Sequence, residues 1–193
     1  MFRVMNSWMT LMEFEIEVHP QFIHIRIWDK RCRRPFPYTA IYTSPQRGTR
    51  AQLWEYLDKL ALGINEPWLL SGDFNVIMNS DERQGEPFKN KSGCSQFRSF
   101  FFEHGFFDLG FQGPKFTWSR GTLFQRLDRS LCNKDWQNFA SYTTVRHLHK
   151  LKSDHRPLLV SMNPVRLEQG FRPFRFLASW LSHPEFRDVV LKA

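Results

Sequence analysis

The stretch "EPWLLSGDFNVI", residues 66–77, restricts the possible folds more than any other part of the chain. Its apolar residues follow one another without the polar alternation of a half-exposed strand, so it reads as a strand buried on both faces. It then ends on Asp73 and Asn75, two hydrogen-bonding side chains two residues apart. Such a pair either closes a turn by bonding nearby backbone amides or holds something at the end of the strand.

The neighbouring segments supply the layers that such a strand needs. "EFEIEVHP" alternates Phe14, Ile16 and Val18 against Glu13, Glu15 and Glu17, and "FIHIRIW" sets Ile23, Ile25 and Ile27 on one face; both read as strands. "YTAIYTSP" is a third, ending at Pro45. Residues 47–63 carry Leu53, Trp54, Leu57, Leu60 and Ala61 at helical spacing, with Thr49 as the expected N-cap and Gly63 as the stop. A second helix is expected over 93–104, and the run "FRSFFFEHGFF" belongs in a core. Short strands follow at "KFTWSR", "QRLDRSL", "YTTVRHL" and "RPLLVSM". Strands alternating with a few helices imply a mixed α/β sandwich. Beyond Pro164 the pattern turns helical, with Phe174, Leu177, Ala178 and Leu181 in one stripe and Ser182 with Glu185 as a capping box. The expected organisation is one domain over 1–164 and a helical segment over 165–193.

Hydrophobic residues make up 41% and charged residues 24% of 193, a globular composition with enough chain for a core. The net charge of +8 favours polyanionic partners such as nucleic acid. Cys32, Cys94 and Cys132 are an odd number without CxxC spacing, which argues against a disulfide framework or a zinc site. No apolar run reaches the roughly 20 residues of a membrane span, and the first residues lack a signal-peptide pattern. The chain is therefore expected to be intracellular, away from membranes. "KRCRRP", residues 30–35, reads either as a solvated loop or as a DNA-contacting or nuclear-import segment.

Polar groups recur where strands end. Tyr42 and Thr43 close "YTAIYT", Asp73 and Asn75 follow the buried strand, Asp128 lies in "QRLDRSL", and Ser153, Asp154 and His155 precede "RPLLV". Each alone is explained by turn chemistry. Brought to one sheet edge, they would equip a phosphodiester hydrolase. Carboxylates suit Mg²⁺, an acidic group can activate water, a histidine can contact or protonate a phosphate, and a second carboxylate can orient that histidine. Arg120, Arg126, Arg129 and Arg156 lie close by in sequence and read equally as phosphate contacts or surface charge.

"SGDFN", "RLDR" and "SDHRPLL", in this order and spacing, resemble the endonuclease/exonuclease/phosphatase superfamily, which includes DNase I-like enzymes and abasic-site endonucleases. "IYTSP", "GFQGPKFTWSR", "RLDRSLCNKDW" and the tail "FRPFRFLASWLSHPEF" are similar to the endonuclease domain of plant LINE-type (non-LTR) retrotransposons. The resemblance implies a DNase I-like two-sheet α/β sandwich, with the 165–193 segment leading toward a reverse transcriptase. It implies that Asp73 positions or deprotonates water, that Asn75, Tyr42 and His155 contact the phosphate, and that Asp128 orients His155. It implies Asp154 near the metal, with Thr117 and Ser153 in support. It implies Mg²⁺, with Mn²⁺ as a substitute, DNA as the substrate, no small-molecule cofactor, a monomer and a nuclear location. The reaction implied is nicking of one DNA strand, leaving a 3′-hydroxyl that primes reverse transcription.

The family pattern begins with a strand carrying "WN" and a second strand ending in a metal-binding glutamate. Neither motif is found here, since Asn6 lies in "MNSW" and Glu13, Glu15 and Glu17 alternate on what reads as a later strand. The expectation is a sandwich lacking its first strands, with weak or absent activity. Two other readings stand beside it: a non-catalytic relic that binds nucleic acid, and a phosphatase of small or lipid phosphates.

Overall fold

The computed structural model describes residues 16–27, 35–85 and 94–162. Outside these lie the segments on which the expectations about the start of the chain, the basic loop "KRCRRP" (apart from Pro35) and the 165–193 helices fall. The elements are β1 (Glu17–His19), β2 (Phe22–Ile27), β3 (Phe36–Tyr42), α1 (Arg47–Gly63), β4 (Leu69–Asp73), a 3₁₀ turn (Ser80–Glu82) and β5 (Arg83–Gln84). They continue with α2 (Ser95–Glu103), β6 (Phe107–Asp108), β7 (Trp118–Arg120), β8 (Leu123–Gln125), β9 (Asp128–Cys132), α3 (Lys134–Phe139), β10 (Thr144–His147) and β11 (Leu158–Ser161).

One sheet has six strands in the order β1-β2-β3-β4-β9-β6, with β3 and β4 parallel. A second layer is assembled from the hairpin β10-β11 and the three strands β5-β8-β7. Single bridges at Gln112–Arg146 and Trp118–His155 extend its pairing. The expected two-layer α/β sandwich is therefore the architecture seen.

β4 is fully buried, and its two faces serve two cores. Leu70 packs with Leu53, Trp54 and Leu57 of α1 and with Phe97 and Phe100 of α2. Leu69 packs with Phe36, Trp136 of α3 and, at the rim, Val160 of β11. Burying each of these large side chains is worth about 1.5–3 kcal/mol, so the apolar run is held from both sides. Phe97, Phe100 and Phe106 of the phenylalanine run are core residues, whereas Phe102 is exposed.

Two local expectations differ, and one short helix is unexpected. Helix α1 starts at Arg47 with Gln46, not Thr49, at the N-cap. The first helical bond, Arg50 N to Gln46 O at 3.0 Å, already forms there. The isoleucine face of β2 is only partly covered among the described residues, with Ile23 exposed and Ile27 buried. Helix α3 has six residues, too few to show a period in sequence; Asn133 caps it, accepting from Trp136 N at 3.1 Å.

Candidate active site

The register of β4 against β9 builds the site. Antiparallel pairing sets Leu69 opposite Cys132, Ser71 opposite Ser130 and Asp73 opposite Asp128. Alternation puts these residues on the face turned to the second layer. Ser71 and Ser130 satisfy each other through their hydroxyls at 2.8 Å. The next pair along the ladder is two carboxylates, and like charges directly opposed across strands repel. A cationic or proton-bearing partner is needed there.

His155 is that partner. Residues 117–119 run against 154–156: Arg156 N donates to Thr117 O at 2.7 Å and Ser119 N to Asp154 O at 3.1 Å. This docking lays the imidazole over the pair. Nδ1 bonds Asp128 Oδ2 at 2.9 Å, and Nε2 lies 3.9 Å from Asp73 Oδ2. The Asp128 hydrogen bond raises the His155 pKa above its ordinary 6.5, against the opposing effect of partial burial. Burial, reinforced by Asp128, raises the Asp73 pKa to about 6. Asp128 thus sits between two groups whose proton affinities it increases.

Asn75 closes the turn and also joins the constellation. Its backbone N and side-chain Nδ2 donate to the two oxygens of Asp73 at 2.8 and 2.9 Å, and Nδ2 also donates to Thr43 O at 2.8 Å. The turn raised as one alternative for the opening stretch is therefore present. The residue adopts φ 49°, a left-handed conformation that asparagine tolerates better than most side chains. Both amide hydrogens are committed, so a phosphate contact by Nδ2 requires one of them to be released.

The other residues singled out in sequence lie around this centre. Tyr42 pairs in register with Asp73 and is 69% exposed, so its ring stands in solvent. Thr117 is buried, and its hydroxyl accepts from the amides of Leu127 and Asp128, both at 2.9 Å, fixing the backbone that carries Asp128. Ser153 Oγ accepts from His155 N at 3.1 Å. Asp154 is exposed and accepts from Trp118 Nε1 at 2.8 Å, which holds its carboxyl below the usual range.

Among the described residues, Asp73, Asp128 and His155 form a group whose ligating atoms all lie within 4.8 Å of one another. The facing carboxylates of Asp73 and Asp128 are the hard oxygen donors of this group that fit a divalent cation, while the imidazole is held by Asp128. Asp154 stands outside that group.

Arg126 and Arg129 are neither phosphate contacts nor surface charge. Arg129 is 0% exposed and bonds Glu82 at 2.8 and 3.1 Å; Arg126 bonds Glu82 at 3.0 Å and Asp108 at 2.8 Å. Alternation turns Arg129 to the helix side, where it lies over Phe97. Glu82 also accepts Met78 N at 2.6 Å, so this buried network ties the segment after Asn75 to β9. Arg156 is likewise engaged, by the carbonyls of Phe116 and Leu148 at 3.2 and 3.3 Å. Sequence reasoning missed Trp118 and Glu82. Nothing local marks Glu82 as buried, because its charged partners Arg126 and Arg129 lie far along the chain.

The Endonuclease/Exonuclease/phosphatase family model matches residues 12–155, so the chain belongs to this family. Among solved structures it resembles the endonuclease domain of TRAS1, a telomere-specific non-LTR retrotransposon, at 14% identity and TM-score 0.55, covering 78% of this chain and 67% of that one. It also resembles the AP endonuclease LMAP from Leishmania major at 17% identity and TM-score 0.52, covering 75% of this chain and 55% of that one. At these identities the likeness is one of fold, which is DNase I-like. The chain spans about two thirds of the first of these structures and about half of the second. Comparison with curated proteins gives no match.

Proposed function

We propose that the chain is a divalent-metal-dependent phosphodiester hydrolase domain that nicks DNA, of the kind carried by plant LINE-type elements. The single observation that supports this most is the facing of Asp73 and Asp128, with His155 bonded to Asp128 and its Nε2 directed toward Asp73. Asp128 holds the imidazole by Nδ1 and leaves Nε2 toward Asp73, where a phosphate oxygen or leaving group would take its proton. Asp73, largely ionised at neutral pH with a pKa of about 6, accepts a proton from water. Asn75 keeps that carboxylate in one orientation, and the free Tyr42 ring offers a hydroxyl to the phosphate. The cluster carboxylates would hold Mg²⁺ or Mn²⁺, and Asp154, ionised and exposed beside His155 but outside that group, would join them only by turning away from Trp118. When bound, the cation supplies Lewis-acid polarisation of the phosphate. Thr117 and Ser153 act through the backbone of Asp128 and His155. The protein is read as a nuclear monomer with DNA as its partner.

The test is nicking of supercoiled plasmid with and without Mg²⁺ or Mn²⁺. Asp73→Ala and His155→Ala should each reduce nicking by roughly 100-fold or more. Undiminished nicking in both variants would remove these residues from the mechanism.

A second reading, nucleic-acid binding without turnover, has its own support. Among the described residues the cluster contains two carboxylates and one imidazole, and no glutamate joins it. Salt-sensitive DNA binding by a protein that nicks with neither metal would favour this reading.

A further inference from the structure

We propose that Gln21, which lies outside every motif above, is a positioning residue for this site. Its buried side chain holds the Tyr42–Ser44 segment where the Thr43 carbonyl meets Asn75. The proposal deepens the reading of the site just given and depends on that reading only where turnover is measured.

Gln21 sits in the turn between β1 and β2, yet it is 5% exposed. A buried polar side chain must find partners, and these partners lie along one segment. Its backbone O accepts Tyr42 N at 2.9 Å, Oε1 accepts Ser44 N at 2.9 Å, and Nε2 donates to Thr49 O at 2.9 Å. One residue therefore spans from the end of β3 to the first turn of α1. Arg50 completes the hold, donating to Ser44 O at 2.7 Å and Pro45 O at 3.1 Å. Thr43 N donates to Asp73 O at 2.9 Å, and Thr43 O accepts Asn75 Nδ2 at 2.8 Å. The amides of residues 42–44 and the carbonyls of residues 43–45 are thus all engaged, and the outcome is the orientation of the carboxamide that bonds Asp73.

A residue needed only to fill this space would be apolar. Methionine has nearly the length of glutamine and would cover the same neighbours. Thr49 is exposed and Ser44 partly so, which lets water replace the lost amide bonds. The fold therefore survives the exchange while the segment loses its fixed place.

The experiment compares wild type, Gln21→Met, Gln21→Asn and His104→Ala. The last removes the 2.9 Å bond between His104 and Asp58, more than two turns further along α1. The Asn75 side-chain amide is followed by ¹⁵N–¹H NMR, its signal identified by its loss in Asn75→Asp. In Gln21→Met the Asn75 carboxamide should shift and exchange at least about tenfold faster, while His104→Ala leaves it in place. Gln21→Asn, whose amide stops one methylene short, serves the same purpose if the methionine variant does not fold. Where nicking is measurable, kcat per folded molecule should fall about 10- to 100-fold with KM unchanged. Carboxamide signals at wild-type positions and exchange rates, or an equal disturbance by His104→Ala, would overturn the proposal. A wild type that does not nick would refute the functional reading, and the carboxamide signal would still decide this one.

Discussion

Asp128 accepts from His155 Nδ1 at 2.9 Å, and Asp73 lies 3.9 Å from Nε2, so the imidazolium is the form this setting favours. The folded pKa of His155 is raised, chiefly by the Asp128 bond. Its contribution to stability is therefore complete below the ordinary value of 6.5 and is lost as pH rises through the higher folded value. The His155 ring-proton titration in wild type should have its midpoint above 6.5, and Asp128→Asn should move it down. A wild-type midpoint at or below 6.5 would contradict the hydrogen bond. Gly72 carries a different constraint. It has φ +147°, and a Cβ there would stand 1.9 Å from the Ile41 carbonyl oxygen. Backbone on a parallel neighbour cannot yield as a side-chain tip can. Gly72→Ala should cost on the order of 3 kcal/mol or more in urea unfolding, or abolish folding.

The segment from Phe74 to Glu82 and strand β9 are joined by charges buried between them. Burial opposes ionisation of Glu82, but Arg129 and Arg126 outweigh it and hold its pKa below 4.5. The stabilisation is thus present above 4.5 and is lost as pH falls through the depressed value. Removing one member leaves uncompensated buried charge. Glu82→Ala should lower stability by about 3–5 kcal/mol at neutral pH, and urea unfolding at about pH 3 should show a smaller gap between variant and wild type. The elements themselves were largely legible. Helix α1 showed its stripe of Leu53, Trp54 and Leu57, and β4 its unbroken apolar run, because both patterns repeat within a few residues. β8 and α3 were not legible: three and six residues are too short to display a period. Arg126 and Arg129 were misread because nothing near them in the chain announces Glu82 and Asp108 as partners.

The site is divided between the two layers. The six-stranded sheet supplies Tyr42, Asp73 and Asp128, and the 117–119 and 153–156 segments bring Thr117, Asp154 and His155. Relative movement of the layers would separate the imidazole from its carboxylates, so the site depends on the cohesion of both cores. The net charge of +8 belongs to the chain as a whole. DNA binding should weaken steeply with salt, with log K falling linearly against log salt concentration. Salt-independent binding would rule out phosphate neutralisation as its source. No helix among the described residues is long and apolar enough to cross a membrane.

The order and spacing of "SGDFN", "RLDR" and "SDHRPLL" were enough to identify the family, because they are local strings that survive reading in one dimension. Helical stripes and strand alternation were equally readable, since each reflects contacts within a few residues. Only the tertiary structure decided that Asp73 faces Asp128, that His155 bonds Asp128 beside Asp73, that both amide hydrogens of Asn75 are used internally, and that two arginines of the motif region are buried. Those outcomes follow from strand register and layer docking. Both are set by contacts between residues distant in the chain, whose energies are realised only after the intervening loops have closed.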